Sequence, residues 1–242
     1  LINVAKKNKL VPKCAIHVDT GLNRLGISID KIANTILLSK RYLNITLIMS
    51  HLSCSENKKS KINNIQLKKF KELTRCFNGL NKPKLSLSNS HGMLISKDFH
   101  FDLCRPGGLL YGLSLSKIKI YKIKNVIRLL AKVIQIKLIK KGEYVGYGAT
   151  YRAKKDSVIA ILGIGYADGL PRNFNGSVYF KNHSLPIIGN ISMDLCTIDV
   201  SRCSKLKIND WVEVFGDSIS IEDFAKTCNT ISYEISSKIG NR

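Results

Sequence analysis

The run Ile45-Thr-Leu-Ile-Met49, closed by Ser50-His51, decides how the first half of the chain is built. It is continuously apolar rather than alternating, as expected of a parallel strand buried on both faces. Upstream, Cys14-Ala-Ile-His-Val18 reads as a short apolar strand ending in Asp19-Thr-Gly21, and Asp30 to Lys40 as a helix with Asp30 near its N-terminus. Downstream, Asn57 to Phe77 carries Ile62, Ile65, Phe70, Leu73 and Phe77 at helical spacing, with lysines between them. That pattern predicts an amphipathic helix buried along those five residues. Lys84-Leu-Ser-Leu-Ser88 is a third short strand. Strands alternating with helices imply a parallel sheet or barrel, whose ligand chemistry sits at the C-terminal strand ends. The residues there are Asp19-Thr-Gly21, His51, Asn89-Ser90 and Arg105-Pro-Gly-Gly108.

After about Tyr121 the pattern changes. Val126 to Ile139 is long and β-branched. Val158-Ile-Ala-Ile-Leu162, Ser177-Val-Tyr-Phe180, Leu185-Pro-Ile-Ile188, Cys196-Thr-Ile-Asp-Val200 and Trp211-Val-Glu-Val-Phe215 follow, separated by Gly- and Asn-containing turns. Short strands at such intervals predict an all-β module. The Ser/Lys-rich stretch 114–125 marks the boundary. The expected architecture is therefore α/β plus β: a partial α/β domain over 1–122, followed by a β domain over 123–242.

Composition excludes some functions. The 242 residues include 39 Lys+Arg against 17 Asp+Glu, a formal net charge of +22. Such a charge raises the question of nucleic acid. Yet the basic residues are dispersed, Lys outnumbers Arg 30 to 9, and no aromatics are arranged among them for base stacking. With Ile and Asn also abundant, the charge reads as A+T-biased codon usage on a solvated surface. No apolar run approaches the ~20 residues of a membrane span, and the N-terminus has no signal-peptide pattern. The seven cysteines are scattered without a C-x-x-C pair. They indicate no zinc ribbon and suit reduced thiols in the cytoplasm.

Several residues have chemistry in reach. Ser90, Gly107 and Gly108 are small residues after barrel strands, a common arrangement for holding phosphate, and equally that of two ordinary loops. Arg105 sits between an apolar-leaning strand (Phe99 to Cys104) and a Pro-Gly-Gly turn, and needs an acceptor if it points into the barrel mouth. A lone His51 is more often structural than catalytic. Gly146-Tyr-Gly-Ala-Thr-Tyr151 presents Tyr147 in a turn; a Tyr there is a packed ring, or an acid–base group if cationic neighbours lower its pKa. Gly163-Ile-Gly-Tyr-Ala-Asp-Gly169 and Gly189-Asn-Ile-Ser-Met-Asp194 place Tyr166 and Met193 in tight loops. Taken singly, each is weak.

Taken in order they are not. His17-Val-Asp-Thr-Gly-Leu-Asn-Arg-Leu-Gly26, Ser50-His51, Ser88-Asn-Ser90, Arg105-Pro-Gly-Gly108, Gly146-Tyr-Gly-Ala-Thr-Tyr-Arg152, Gly165-Tyr-Ala-Asp-Gly169, Ile191-Ser-Met-Asp194 and Ile231-Ser-Tyr-Glu-Ile235 resemble the alanine racemase family across nearly the whole chain. The resemblance implies a pyridoxal-5′-phosphate enzyme that interconverts L- and D-alanine for bacterial peptidoglycan. It also implies that the α/β domain over 1–122 is part of a (β/α)8 barrel, in a homodimer whose sites are shared between subunits. By that resemblance Arg105 faces the cofactor's ring nitrogen, to which an Arg cannot give a proton, and His51 orients it. Ser90, with Asn89 beside it, the Gly107 and Gly108 backbone, and Tyr233 hold the phosphate. Tyr147 exchanges the proton at the substrate's Cα from the other subunit. Arg24 and Met193 bind the substrate carboxylate, and Tyr166 narrows the entrance. No metal is implied.

Three departures accompany the resemblance. His17 stands where many members have a Lys that supports the residue matching Arg24. Gly108 stands where a larger apolar residue is usual, a change expected to be harmless if only its N–H touches phosphate. None of the 30 lysines lies in the motif of the family's Schiff-base lysine. The expectation is that the chain begins partway through the barrel, is poorly soluble alone or rests on a partner that completes it, and forms no covalent link to the cofactor. The competing readings are an inactive remnant, a racemase of another amino acid such as serine, and, least in keeping with the motifs, a nucleic-acid-binding protein.

Overall fold

The computed structural model describes residues 1–39, 41–75, 83–113 and 123–240, which form two compact units, Leu1–Gly107 and Gly108–Arg242. Lys40, Phe77 and the boundary stretch 114–122 lie outside the described residues.

In the first unit, β1 (Lys13–His17), β2 (Asn44–Met49) and β3 (Lys84–Ser86) form a parallel sheet in that order. Helices α1 (Ile2–Asn8), α2 (Ile29–Ser39) and α3 (Lys61–Thr74) alternate with them. The parallel pairing is as the apolar run predicted, but β2 is not covered throughout. Ile45 and Ile48 are buried, whereas Thr46 is exposed. Ile32 of α2 and Phe70 of α3 join Ile48 and Leu87 in one core. Phe70 meets Phe101 edge-on at 5.0 Å.

The buried face of α3 differs from the sequence prediction. Phe70 and Leu73 face inward, but Ile62 and Ile65 are exposed, and Asn63, Gln66 and Leu67 take the inward positions. Burying an amide is possible only where its polar atoms find partners. Gln66 has four hydrogen bonds, and Asn63 donates to the Asn57 carbonyl at 3.0 Å. The expected strand over Phe99 to Cys104 is also absent. Lys97–Phe99 is a 3-10 turn, Phe101 has a positive φ, and the extended pairing is instead a bridge between Asn89 and Arg105.

The second unit contains β4 (Leu129–Ile139), β5 (Tyr144–Val145), β6 (Tyr151–Arg152), β7 (Ser157–Leu162), β8 (Ser177–Phe180), β9 (His183–Pro186), β10 (Cys196–Asp199) and β11 (Trp211–Phe215). Six of them form one antiparallel sheet in the order β10-β7-β4-β11-β8-β9. Ile187, one residue past β9, bridges Ile198 of β10, and the Ile188 N–H donates to the Thr197 carbonyl at 2.9 Å. The two outer strands therefore meet and the sheet closes into a barrel, which removes its edges. Val133, Leu162, Ile198, Val212 and Val214 fill the interior. The module is not wholly β: α4 (Ile221–Thr227) and α5 (Ser232–Lys238) follow the barrel. Ser220 caps α4 by accepting the Asp223 N–H at 3.1 Å, and Phe224 packs on Phe174 and Phe215. No helix among the described residues is long and apolar enough to cross a membrane.

Candidate active site

The C-terminal strand ends of the first unit gather one polar cluster. β1 leads into the loop that carries Arg24. Asp19 Oδ1 accepts the N–H groups of Gly21, Leu22 and Asn23 at 2.9, 3.0 and 3.2 Å, which holds its carboxyl below the usual range. A side chain at Gly26 would lie 2.7 Å from the Asp19 nitrogen, so only glycine lets the loop fold back on its own start.

β2 ends at Ser50-His51, and β3 leads to Ser88-Asn89-Ser90. Arg105 enters between them. Its N–H donates to the Ser88 carbonyl at 2.9 Å, and its guanidinium donates to Ser86 Oγ and to the Ser50 carbonyl. Ser86 is buried and gives its own hydrogen to the Leu103 carbonyl at 2.6 Å, so its free lone pairs face the arginine. Burial draws the Arg105 pKa down, yet an arginine stays charged. Its partners are thus a serine hydroxyl and a carbonyl, neither of which the sequence reading singled out.

The His51 ring lies beside Asn89, Nε2 to Nδ2 at 3.5 Å, the long end of hydrogen-bond range. Burial, then the charges of Arg105, Arg24 and His17, lower its pKa. His17 is lowered by burial and by Arg105 and Arg24, against an upward pull from Asp19. Both rings are therefore neutral at neutral pH, and next to two guanidiniums a neutral imidazole adds no further repulsion. Asn89 also caps the following turn, its Oδ1 accepting the Gly92 N–H at 2.9 Å. Ser90 Oγ accepts the Gly107 N–H at 2.9 Å. A Cβ placed on Gly107 would meet no atom within 4 Å, so the backbone there faces open space beside a nearly buried serine.

In the second unit, Tyr147 stands in the turn between β5 and β6 with 74% of its surface exposed. Asn190 Nδ2 donates to its carbonyl at 2.9 Å. Three loops are clamped together by glycine contacts. A Cβ on Gly189 would sit 2.7 Å from the Val145 oxygen, and one on Gly165 2.2 Å from the Met193 oxygen. Tyr166 N–H and Ala167 N–H donate to the Ser192 and Met193 carbonyls, both at 3.0 Å. The clamp shapes a cleft of about 490 Å³ lined by Tyr147, Tyr166, Arg172, Ser192, Met193 and Asp194. The cleft brings Tyr147, Tyr166 and Met193 together. Arg172 was missed: it lies three residues past Gly169, and its only signal is a cation after a Gly-rich loop.

Tyr233, in the first turn of α5, lies against Gly108. A Cβ there would be 2.5 Å from its hydroxyl oxygen. Glycine at 108 thus leaves room for Tyr233 where the ring stands in this structure.

Residues 1–115 match the family model of the alanine racemase N-terminal domain, and residues 126–242 that of the alanine racemase C-terminal domain. The chain is 41% identical to the alanine racemase of Rickettsia bellii over 98% of its length and 58% of the relative's. It is 40% identical to that of Rickettsia canadensis over 98% of this chain and 65% of the relative. Among solved structures, the alanine racemase of Bartonella henselae with covalently bound pyridoxal phosphate superposes with a TM-score of 0.89 at 35% identity, covering 99% of this chain and 67% of that one. The Streptomyces coelicolor alanine racemase gives 0.91 at 27% identity over the same shares. The fold thus corresponds to a TIM-type N-terminal domain and a β-rich C-terminal domain. The chain spans less than two thirds of the length of the curated relatives it matches.

Proposed function

Because the chain belongs to the alanine racemase family, we propose that it serves the interconversion of L- and D-alanine with pyridoxal 5′-phosphate. The observation that carries this reading is the guanidinium of Arg105, pinned at the parallel strand ends beside Ser90 and the open backbone of Gly107. Those residues fit the cofactor. A fixed cation suits a ring nitrogen that must stay unprotonated, and a serine hydroxyl joined to a glycine N–H, with open space over that backbone, suits a phosphate that would take over the N–H now given to Ser90 Oγ. When bound to an amino acid, the cofactor acidifies the Cα–H by drawing its electron pair toward the ring.

The chain's own residues take the remaining tasks. Ser90 and Gly107 hold the phosphate, and Gly108 with Tyr233 is proposed for the same group. Arg105 gives the ring nitrogen a donor but no proton. His51 stays neutral beside it, and Asn89 supports both His51 and the turn that carries Ser90. Tyr147 moves the proton at Cα; its exposure suits a group that acts across a homodimer interface. Arg24 and the Met193 backbone take the substrate carboxylate, Tyr166 narrows the cleft, and Arg172 adds a cation that attracts a carboxylate toward it. Supply of D-alanine to peptidoglycan, in the cytoplasm of a bacterium, is the proposed role.

The test is loss of optical rotation from L-alanine with added cofactor, for the chain alone and joined to the N-terminal third of a curated relative. Racemisation in either form, reduced on the order of 10²-fold or more by Tyr147→Phe, is the expected result. No turnover in both forms would overturn the proposal.

A further inference from the structure

α3 presents a glutamine to the site that no charge or metal accounts for. Gln66 is 1% exposed and all its side-chain hydrogen-bonding capacity is engaged. Its Nε2 donates to the His51 carbonyl at 3.0 Å and to Thr20 Oγ1 at 3.2 Å. Its Oε1 accepts from the Ser53 backbone N–H at 2.9 Å and from Ser53 Oγ at 3.0 Å. The orientation of the amide is not a matter of choice. A backbone N–H can only donate and a carbonyl can only accept, so the oxygen must face Ser53 and the nitrogen His51.

The bonds converge on the segment that ends β2. Thr20 Oγ1 is 2.7 Å from the buried Ser50 Oγ, which ties the loop after β1 to the same segment. Ser50 supplies the carbonyl that receives the Arg105 guanidinium, and His51 supplies the ring next to Asn89. Ser50 to Ser53 is thus held by Gln66 at His51 and Ser53, and through Thr20 at Ser50. Removing one partner of a buried network leaves the others unpaired and free to shift.

We propose that Gln66 is a positioning residue: from α3 it fixes the Ser50–Ser53 segment and, through it, the placement of the Arg105 guanidinium and the His51 ring. The assignment of Arg105 to the cofactor rests on the function proposed above; the positioning does not. Gln66 lies outside every motif that carries the family resemblance.

The test uses the full 242-residue chain, with Gln66→Met and the near-isosteric Gln66→Glu. Glutamate keeps the volume but aims an oxygen at the His51 carbonyl. The controls are Asn63→Ala, which perturbs the same buried face of α3, and Thr20→Val, which cuts one link. The first readout is the NMR titration of the His51 ring, which faces Arg105, Arg24 and His17, together with the Arg105 guanidinium signals. Both Gln66 variants should raise the His51 midpoint as the ring gains water, and Gln66→Glu should raise it further by its charge. Both should shift the Arg105 signals. Thr20→Val should move His51 the same way by less. Asn63→Ala should lower the melting temperature and leave both signals in place. The second readout is pyridoxal 5′-phosphate affinity by absorbance, expected to weaken on the order of tenfold in the Gln66 variants. Folded Gln66 variants with unmoved His51 and Arg105 signals would overturn the proposal, as would variants that bind the cofactor as tightly as a wild-type chain that does bind it. If the Gln66 variants do not fold, an unmoved His51 in Thr20→Val overturns it. If nothing binds the cofactor but the signals move, the positioning stands and the cofactor reading falls.

Discussion

The two units solve the problem of sheet edges in opposite ways. In Gly108–Arg242 the sheet returns on itself where Ile187 meets Ile198, so every strand of the six has neighbours on both sides. In Leu1–Gly107 the parallel sheet is open, and among the described residues β1 has a partner on one side only. Exposed apolar side chains do not follow that division: Leu37 and Leu38 on α2 are exposed, and so are Val126, Leu138 and Ile231 outside the barrel interior. Closed topology leaves no strand edge unpaired; open topology leaves an edge that needs a neighbour. The site residues divide too: the anchored arginine and the neutral imidazoles stand on the open unit, and the exposed tyrosine on the closed one.

The largest effect that would break this contrast comes from separating the units. Residues 108–242 expressed alone should melt cooperatively by circular dichroism, and residues 1–107 alone should not; a sharp transition in the latter would refute the contrast. Next come single truncations. Leu162→Ala, inside the barrel, should lower stability by about 2–5 kcal/mol in denaturant titration, whereas Leu37→Ala should stay within about 0.5 kcal/mol. Gly108→Val should cost about 1–3 kcal/mol through its collision with Tyr233, and Tyr233→Ala in the same chain should return most of it.

The smallest effect is in pH. His17 and His51 both titrate below the ordinary 6.5 in the folded chain. The unfolded chain therefore takes up protons first, so their contribution is complete above about 6.5 and is lost as pH falls through the lowered folded values. In the barrel, burial pushes Glu213 up, but Ser218, Asp217 and Arg128, whose Nε lies 3.1 Å away, bring it below 4.5. That contribution is present above the ordinary carboxylate range and is lost only in stronger acid. Between about pH 6 and 5, amide exchange corrected for its intrinsic rate should quicken in the first unit and hold in the second.

Legibility in the sequence followed the same physics. Strands such as Ser177–Phe180 and Trp211–Phe215 match their predicted ends because short apolar runs between turn residues have few alternatives. Hydropathy puts the buried face of α3 on the wrong residues, because it sees Ile62 and Ile65 but cannot see the four hydrogen bonds that Gln66 makes to three residues 13 to 46 positions away. α4 carried a legible signal in Ser220-Ile-Glu-Asp223, a capping pattern ahead of apolar residues, which the all-β reading passed over. The site motifs were visible as short words, but what anchors Arg105 was not. A carbonyl belongs to every residue, so no residue type announces the one at Ser50.

The contact between Gly108 and Tyr233 carries a consequence for how such a chain can drift over generations. A mutation that enlarges residue 108 first meets the phenol and is penalised, while one that trims or turns residue 233 first opens the space at once. The two orders of change are not equivalent. In a library of variants the pair should therefore behave as one coupled position, in which the size tolerated at 108 depends on what stands at 233.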